Sequence, residues 1–295
     1  MSTEAWLDRT EYPFAPHYAE VGGGRMHYVD EGAGPAVVLV HGTPTWSFLW
    51  RKLIAELSTT HRVIAPDHIG FGLSDKPAGW SYRPADHARN LSTLLERLDV
   101  GPMTLVVHDF GGPIGLSHAI EHPERVTSLV LFNTFLWSMR DNPTAVRASR
   151  LFGSAFGRFL YTRLNLSPRW LIPMSFADRS RLTPAIHRHY TAPFPDADSR
   201  MGAWTLAKEL VESSEWYDAL WARRDRLATI PAQLHWGMKD PAFGPDALAR
   251  WETVFERAEV HRHDAGHFVQ EEVEGIGGVV RTFIEVHQRE RQRAR

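Results

Sequence analysis

Thr104-Leu105-Val106-Val107-His108-Asp109-Phe110-Gly111-Gly112 is the stretch that decides how this chain folds. An unbroken apolar and β-branched run, with no polar alternation, reads as a strand covered on both faces, the habit of a parallel sheet. The run stops at His108-Asp109, and two glycines follow. Small residues there permit a sharp strand-to-helix turn that holds its apex side chain, Asp109, exposed above the sheet. Pro113 to Ile120 then reads as the helix leaving that turn.

The same unit recurs on either side. Val37-Val38-Leu39-Val40 ends at His41-Gly42, Val63-Ile64-Ala65 ends at Pro66-Asp67, and Ser128 to Phe132 ends at Asn133. Amphipathic stretches from Trp46 to Leu57 and from Ala85 to Leu98 lie between them, and Tyr18 to Glu31 reads as a hairpin around Gly22-Gly23-Gly24. Alternating strand and helix predicts an α/β fold: a mostly parallel, doubly wound sheet with helices on both faces. The rhythm stops after Asn133. From about Phe135 to about Ala228 the texture is helical, with five of the eleven tryptophans: Trp137, Trp170, Trp204, Trp216 and Trp221. It resumes with Ala232 to Trp236, a helix from Pro245 to Phe255, a strand from Ala258 to His263, and a last helix from about Val269 to Val286. We therefore expect a core domain of residues 1–134 and 229–295, interrupted by a helical cap over 135–228. Ligands of open α/β sheets bind beyond the carboxyl ends of the strands, so an insertion leaving there would roof the site.

Composition narrows the chemistry. The 295 residues carry 33 Lys plus Arg against 35 Asp plus Glu, a net charge of −2, so no global field draws the chain to nucleic acid or an anionic membrane. Cysteine is absent, which excludes disulfides, cysteine-ligated metals and thiol nucleophiles. No apolar run reaches the ~18 residues of a membrane span, and Met1 to Ala15 lacks the apolar core of a signal peptide. These features point to a cytoplasmic protein without nucleic-acid or membrane partners. The basic stretch from Gln288 to Arg295 reads as a solvated helix end.

At the turn, Asp109 is either a helix-capping carboxylate or a nucleophile stabilised by the free N–H groups of a helix start. Two distant segments favour the second. Asp264-Ala265-Gly266-His267-Phe268 supplies a histidine after the last strand, and Gly237-Met238-Lys239-Asp240-Pro241 a carboxylate after the preceding one. The chain order nucleophile, acid, histidine is the one found on this kind of sheet. Asp240 is otherwise a turn-forming Asp before Pro. Asp141, early in the expected cap, is a rival acid. In His41-Gly42-Thr43-Pro44, the backbone N–H of Thr43 would join that of Phe110 as an oxyanion hole.

With these residues in place, the chain resembles a haloalkane dehalogenase of the α/β-hydrolase superfamily. The matching stretches are His41 to Arg51, Ala65 to Pro77, Val106 to Asp109 and Asp264 to Glu271, with a looser match at Ala192-Pro193-Phe194-Pro195 in the cap. The resemblance implies an α/β-hydrolase fold, Asp109 as nucleophile, His267 as base and Asp240 as its partner. It also implies a small apolar organic substrate with water, and no cofactor or metal. An aspartate suits that chemistry. A carboxylate attacking an alkyl carbon leaves an ester that water can cleave at the carbonyl carbon, whereas a serine would leave an ether.

The match breaks at the leaving group. The family usually holds a halide between two N–H donors, one from a Trp after the nucleophile and one from an Asn after His-Gly or a Trp of the cap. Here those positions are Phe110 and Thr43. Losing one charge-assisted hydrogen bond costs roughly 1.5–3 kcal/mol, about ten- to a hundredfold or more in rate. Trp137 is the cap residue expected to supply a donor, against the alternative that it packs in a core. Three readings follow: dehalogenation with an altered halide site; the same Asp nucleophile on an epoxide or strained lactone, with Tyr161, Tyr190 or Tyr217 as proton donor; or a ligand-binding non-enzyme.

Overall fold

A computed structural model describes residues 5–293. Eight strands form one sheet in the order β1-β2-β4-β3-β5-β6-β7-β8. The hairpin β1 (His17–Val21) and β2 (Gly24–Glu31) joins antiparallel to β4 (Arg62–Pro66). The rest run parallel: β3 (Ala36–Val40), β5 (Met103–Asp109), β6 (Val126–Thr134), β7 (Ala232–Gly237) and β8 (Glu259–His263).

Period-two alternation sorts the strand side chains into two cores. Val38, Val40, Leu105, Val107, Leu129 and Leu131 pack on one face with α2 (Pro84–Arg97) and α3 (Gly111–Glu121). Val37, Leu39, Val106, Val130 and Phe132 pack on the other with α1 (Arg51–Leu57) and α12 (Ile276–Arg293). Every residue of β5 is buried, as expected of a central parallel strand.

Between β6 and β7, six α-helices occupy the described residues: α4 (Pro143–Gly153), α5 (Ala155–Leu164), α6 (Ile172–Met174), α7 (Pro184–Thr191), α8 (Met201–Glu212) and α9 (Ser214–Trp221). The strand rhythm returns with β7, α10 (Pro245–Glu252) and β8. The single last helix expected from Val269 is two. α11 (Val269–Glu272) stops, Gly275 takes a left-handed φ of +74°, and α12 starts at Ile276. Apolar periodicity continues across the break, which hides it from the sequence. α12 runs on to Arg293, so only the last two residues of the basic stretch, like Met1 to Glu4 at the other end, lie outside the described residues. Among the described residues no helix is long and apolar enough to cross a membrane.

Candidate functional site

The site starts from the turn after β5. Asp109 sits at φ +53°, a left-handed conformation that costs a non-glycine residue roughly 1–3 kcal/mol and is held only where the surroundings enforce it. They do so here. Thr134 Oγ1 donates to the Asp109 carbonyl at 2.5 Å, and α3 begins at Gly111, where a Cβ would run into the Val40 carbonyl. Gly42 is equally constrained, since a Cβ there would overlap the Asp109 carboxylate. That clearance lets the backbone N–H of Thr43 donate to Asp109 Oδ1 at 2.7 Å, and the Phe110 N–H also bonds the carboxylate. The other oxygen, Oδ2, faces His267 Nε2 at 3.7 Å.

His267 is fixed from three directions. Its Nδ1 pairs with Asp240 Oδ2 at 2.7 Å, its backbone N–H donates to Ser175 O at 2.8 Å, and its carbonyl accepts from His108 Nε2 at 2.9 Å. Asp240 is fixed in turn by Asn133, whose Nδ2 donates to Asp240 Oδ2 at 2.8 Å while its Oδ1 accepts from the Gly237 N–H at 2.7 Å. The structure thus brings Asp109, Asp240, His267, Thr43 and Phe110 together. Phe135 contacts the rings of Phe110, Tyr217 and Phe243, an aromatic wall that reaches His267 through Phe243.

Burial dominates the electrostatics. It pushes the Asp109 carboxyl up to about 6, against the pull of His267 and the two backbone N–H groups. Burial would also raise Asp240, but the His267 imidazole outweighs it and holds that carboxyl below the usual carboxylate range. For His267, burial acts downward, and the carboxylates of Asp240 and Asp109 overcome it and raise the imidazole above its ordinary value.

Residues 35–273 match the family described as alpha/beta hydrolase fold. Haloalkane dehalogenase 2 of Mycobacterium tuberculosis (H37Rv) is 36% identical over 92% of this chain and 95% of its own length. This chain is a haloalkane dehalogenase-like member of the α/β-hydrolase superfamily. It is also similar to a cis-3-alkyl-4-alkyloxetan-2-one decarboxylase of Shewanella oneidensis, at 33% identity over 89% of this chain and 86% of that one. Among solved structures, the haloalkane dehalogenase of Bradyrhizobium elkani USDA94 superposes with a TM-score of 0.85 at 29% identity, covering 93% of this chain and 99% of that one. The chain is a hydrolase, and the reading as a ligand-binding non-enzyme is set aside.

The remaining site expectations for this dehalogenase-like hydrolase divide. Trp137, expected to supply a halide donor, packs against Trp221 and Trp251, with the Arg250 guanidinium 4.6 Å from its ring. Those contacts are core packing, as the alternative had it. Asp141 is exposed, while the position beside His267 Nδ1 belongs to Asp240. Of the three tyrosines, Tyr161 and Tyr217 feel the Asp109 charge. Two are committed elsewhere: Tyr190 donates to Glu271 Oε1 at 2.5 Å and Tyr217 to the Glu209 carbonyl at 3.0 Å.

Three supporting residues escaped the sequence reading. Asn133 was visible only as a strand end. Glu272 accepts the N–H groups of Gly266, Ala177 and Asp178 at 2.8, 2.9 and 2.8 Å, tying the loop of His267 to the segment after α6. Ser175 acts through its backbone carbonyl alone, which no side-chain pattern reveals. Glu272 carried one weak signal, as the second of two adjacent acids shortly after the histidine, in Gln270-Glu271-Glu272.

Proposed function

We propose that this hydrolase cleaves a carbon–halogen bond through a covalent ester on Asp109, with residues 135–228 as a cap over a core of 1–134 and 229–295. The observation that supports it best is the asymmetry of the Asp109 carboxylate: Oδ1 on the Thr43 N–H, Oδ2 toward His267. Oδ2 attacks the carbon bearing the halogen, a C–O bond forms, and the halide leaves with the bonding electrons. His267 Nε2 then takes a proton from water, and the hydroxide adds to Cγ of Asp109 while Oδ1 carries the negative charge against the N–H groups of Thr43 and Phe110. Collapse breaks the Cγ–Oδ2 bond, the alkoxide regains the proton from His267, and the Asp109 carboxyl gives up the remaining hydrogen of the added water to solvent to return to the carboxylate. Asp240 orients the imidazole throughout.

The Thr43 hydroxyl is buried and has no partner among the described residues, which makes it the donor we assign to the departing halide in place of a tryptophan. The test is release of bromide and alcohol in equal amounts from a panel of bromoalkanes. Wild-type chain should release both, and Asp109→Ala neither.

A second reading, opening of an epoxide or strained lactone, draws support from Tyr161, whose phenol lies within reach of the Asp109 charge and hydrogen-bonds Ser167. No bromide from any haloalkane, together with ring opening that Tyr161→Phe abolishes, would decide for it.

The proposed steps also separate by pH. Attack needs ionised Asp109, so kcat/KM should fall about tenfold per pH unit below about 6. Hydrolysis needs neutral His267, whose raised pKa keeps it protonated to higher pH than an ordinary histidine. The acid limb of kcat should therefore lie at higher pH than that of kcat/KM. Coincident limbs in the two profiles would count against separate steps.

A further inference from the structure

We infer that the outer face of α4 to α6 docks on an anionic lipid bilayer. Of the nine large hydrophobic side chains exposed among the described residues, six fall within 24 residues of sequence: Leu151, Phe156, Phe159, Leu164, Trp170 and Met174, each 39–63% exposed. On α5, Phe156, Phe159 and Arg163 share one side at helical spacing, and Gly157 and Tyr161 are buried on the opposite side. Trp170 and Met174 repeat the pattern one helical turn apart. A monomeric soluble protein scatters such residues singly, and a cluster of them marks a surface that meets something apolar.

Charge identifies the partner. From Pro143 to Ala177 the chain has Arg147, Arg150, Arg158, Arg163 and Arg169 and no Asp or Glu, where the overall acidic content would place about four. None of these five guanidinium groups is ion-paired among the described residues; Arg158 lies over the Trp204 ring, and Arg147 donates to its own helix. Carboxylates border the face: Asp141 and Asp178 flank the stretch in sequence, Glu212 is held by Lys208 at 3.3 Å, and Asp198 lies across a groove it shares with Phe159 and Arg163. Exposed aromatics among unpaired arginines are the composition of a surface that lies in the headgroup layer, aromatic rings in the acyl boundary and cations on lipid phosphates. Two copies of this chain pressed face to face would instead set ten arginines against one another. The net charge of −2 conceals this, because the acids are concentrated elsewhere in the chain. The inference stands apart from the chemistry assigned to Asp109, though the two meet in α5: its buried Tyr161 lies near Asp109 beneath the proposed lipid contact.

The test is flotation of the full chain with vesicles of phosphatidylglycerol and phosphatidylcholine, and with phosphatidylcholine alone, at low and physiological salt. Binding should favour the anionic vesicles and weaken with salt. Phe156→Ser with Phe159→Ser should abolish it, with melting temperature and basal hydrolysis unchanged. Arg150→Gln with Arg163→Gln should weaken it, at about fivefold per arginine. No binding to anionic vesicles, or binding that the phenylalanine variant retains, would overturn the inference. So would a dimer in light scattering that the phenylalanine variant disperses, since a second copy would then occupy the face.

Discussion

With His267 replaced by Gln, the chain should stop after one event and keep the alkyl group of its substrate on Asp109. The expectation follows from the division of labour around the carboxylate. Oδ2 is already an anion when Asp109 is ionised and needs no base to attack carbon. The water that must cleave the resulting ester does need one, and Nε2 of His267, 3.7 Å from Oδ2, is the base in place. Gln fills similar space and can still approach Asp240, but it takes no proton. Losing a positioned general base slows a step by about 10²–10⁴-fold, so the ester should outlive purification. Intact-protein mass spectrometry should show one added alkyl group, mapped to the peptide containing Asp109. Bromide release should come as a burst equal to the enzyme present and then cease. Sustained turnover by the variant would sink the assignment of His267, and a burst without an adduct would sink that of Asp109.

Arg51→Met should destabilise the fold by about 3–5 kcal/mol, lowering the melting temperature by about 10 °C. Glu271 is fully buried in α11, four residues after His267, and accepts two bonds from the Arg51 guanidinium at 2.5 and 2.9 Å. Tyr190 of α7 donates to the same carboxylate, and half-exposed Lys52 stands 3.5 Å away. Without Arg51 a buried carboxylate would keep only a phenol and a distant, solvated ammonium. Since α1, α11 and α7 meet here, the variant should loosen the loop of His267 as well as unfold earlier. Arg51→Met combined with Glu271→Leu should recover most of the stability, because removing both charges leaves neither unpaired. Denaturant unfolding of the three proteins checks this, and a single variant within 1 kcal/mol of wild type would show that Lys52 and solvent suffice for Glu271.

The residues that were legible in sequence are those whose job is local. Asp109 stands out because a strand, an apex and a glycine must be consecutive to make its turn, and Thr43 because the loop after β3 offers a backbone N–H there. What could not be read depends on contacts across long separations. Asn133 positions Asp240 from 107 residues away, and Glu272 reaches back 95 residues to Ala177. Trp137, weighed as a halide donor against core packing, was undecided for a related reason. An indole at the start of a cap can face the site or the core, and Trp221, Trp251 and Arg250 decided for the core. The break between α11 and α12 turns on one backbone angle at Gly275, which the surrounding apolar period does not encode. The basic outer face of α4 to α6 disappeared in a net charge, which is a sum over the whole surface and carries no position.

The unequal surroundings of the two Asp109 oxygens also give them different lifetimes. On the proposed route the alcohol departs with Oδ2, an atom of the protein, and the oxygen of water takes its place. Oδ1, held by the Thr43 N–H, stays. The side chain is therefore rebuilt by one atom in every cycle, and the product of a first turnover carries an oxygen that came from the polypeptide and not from the solvent.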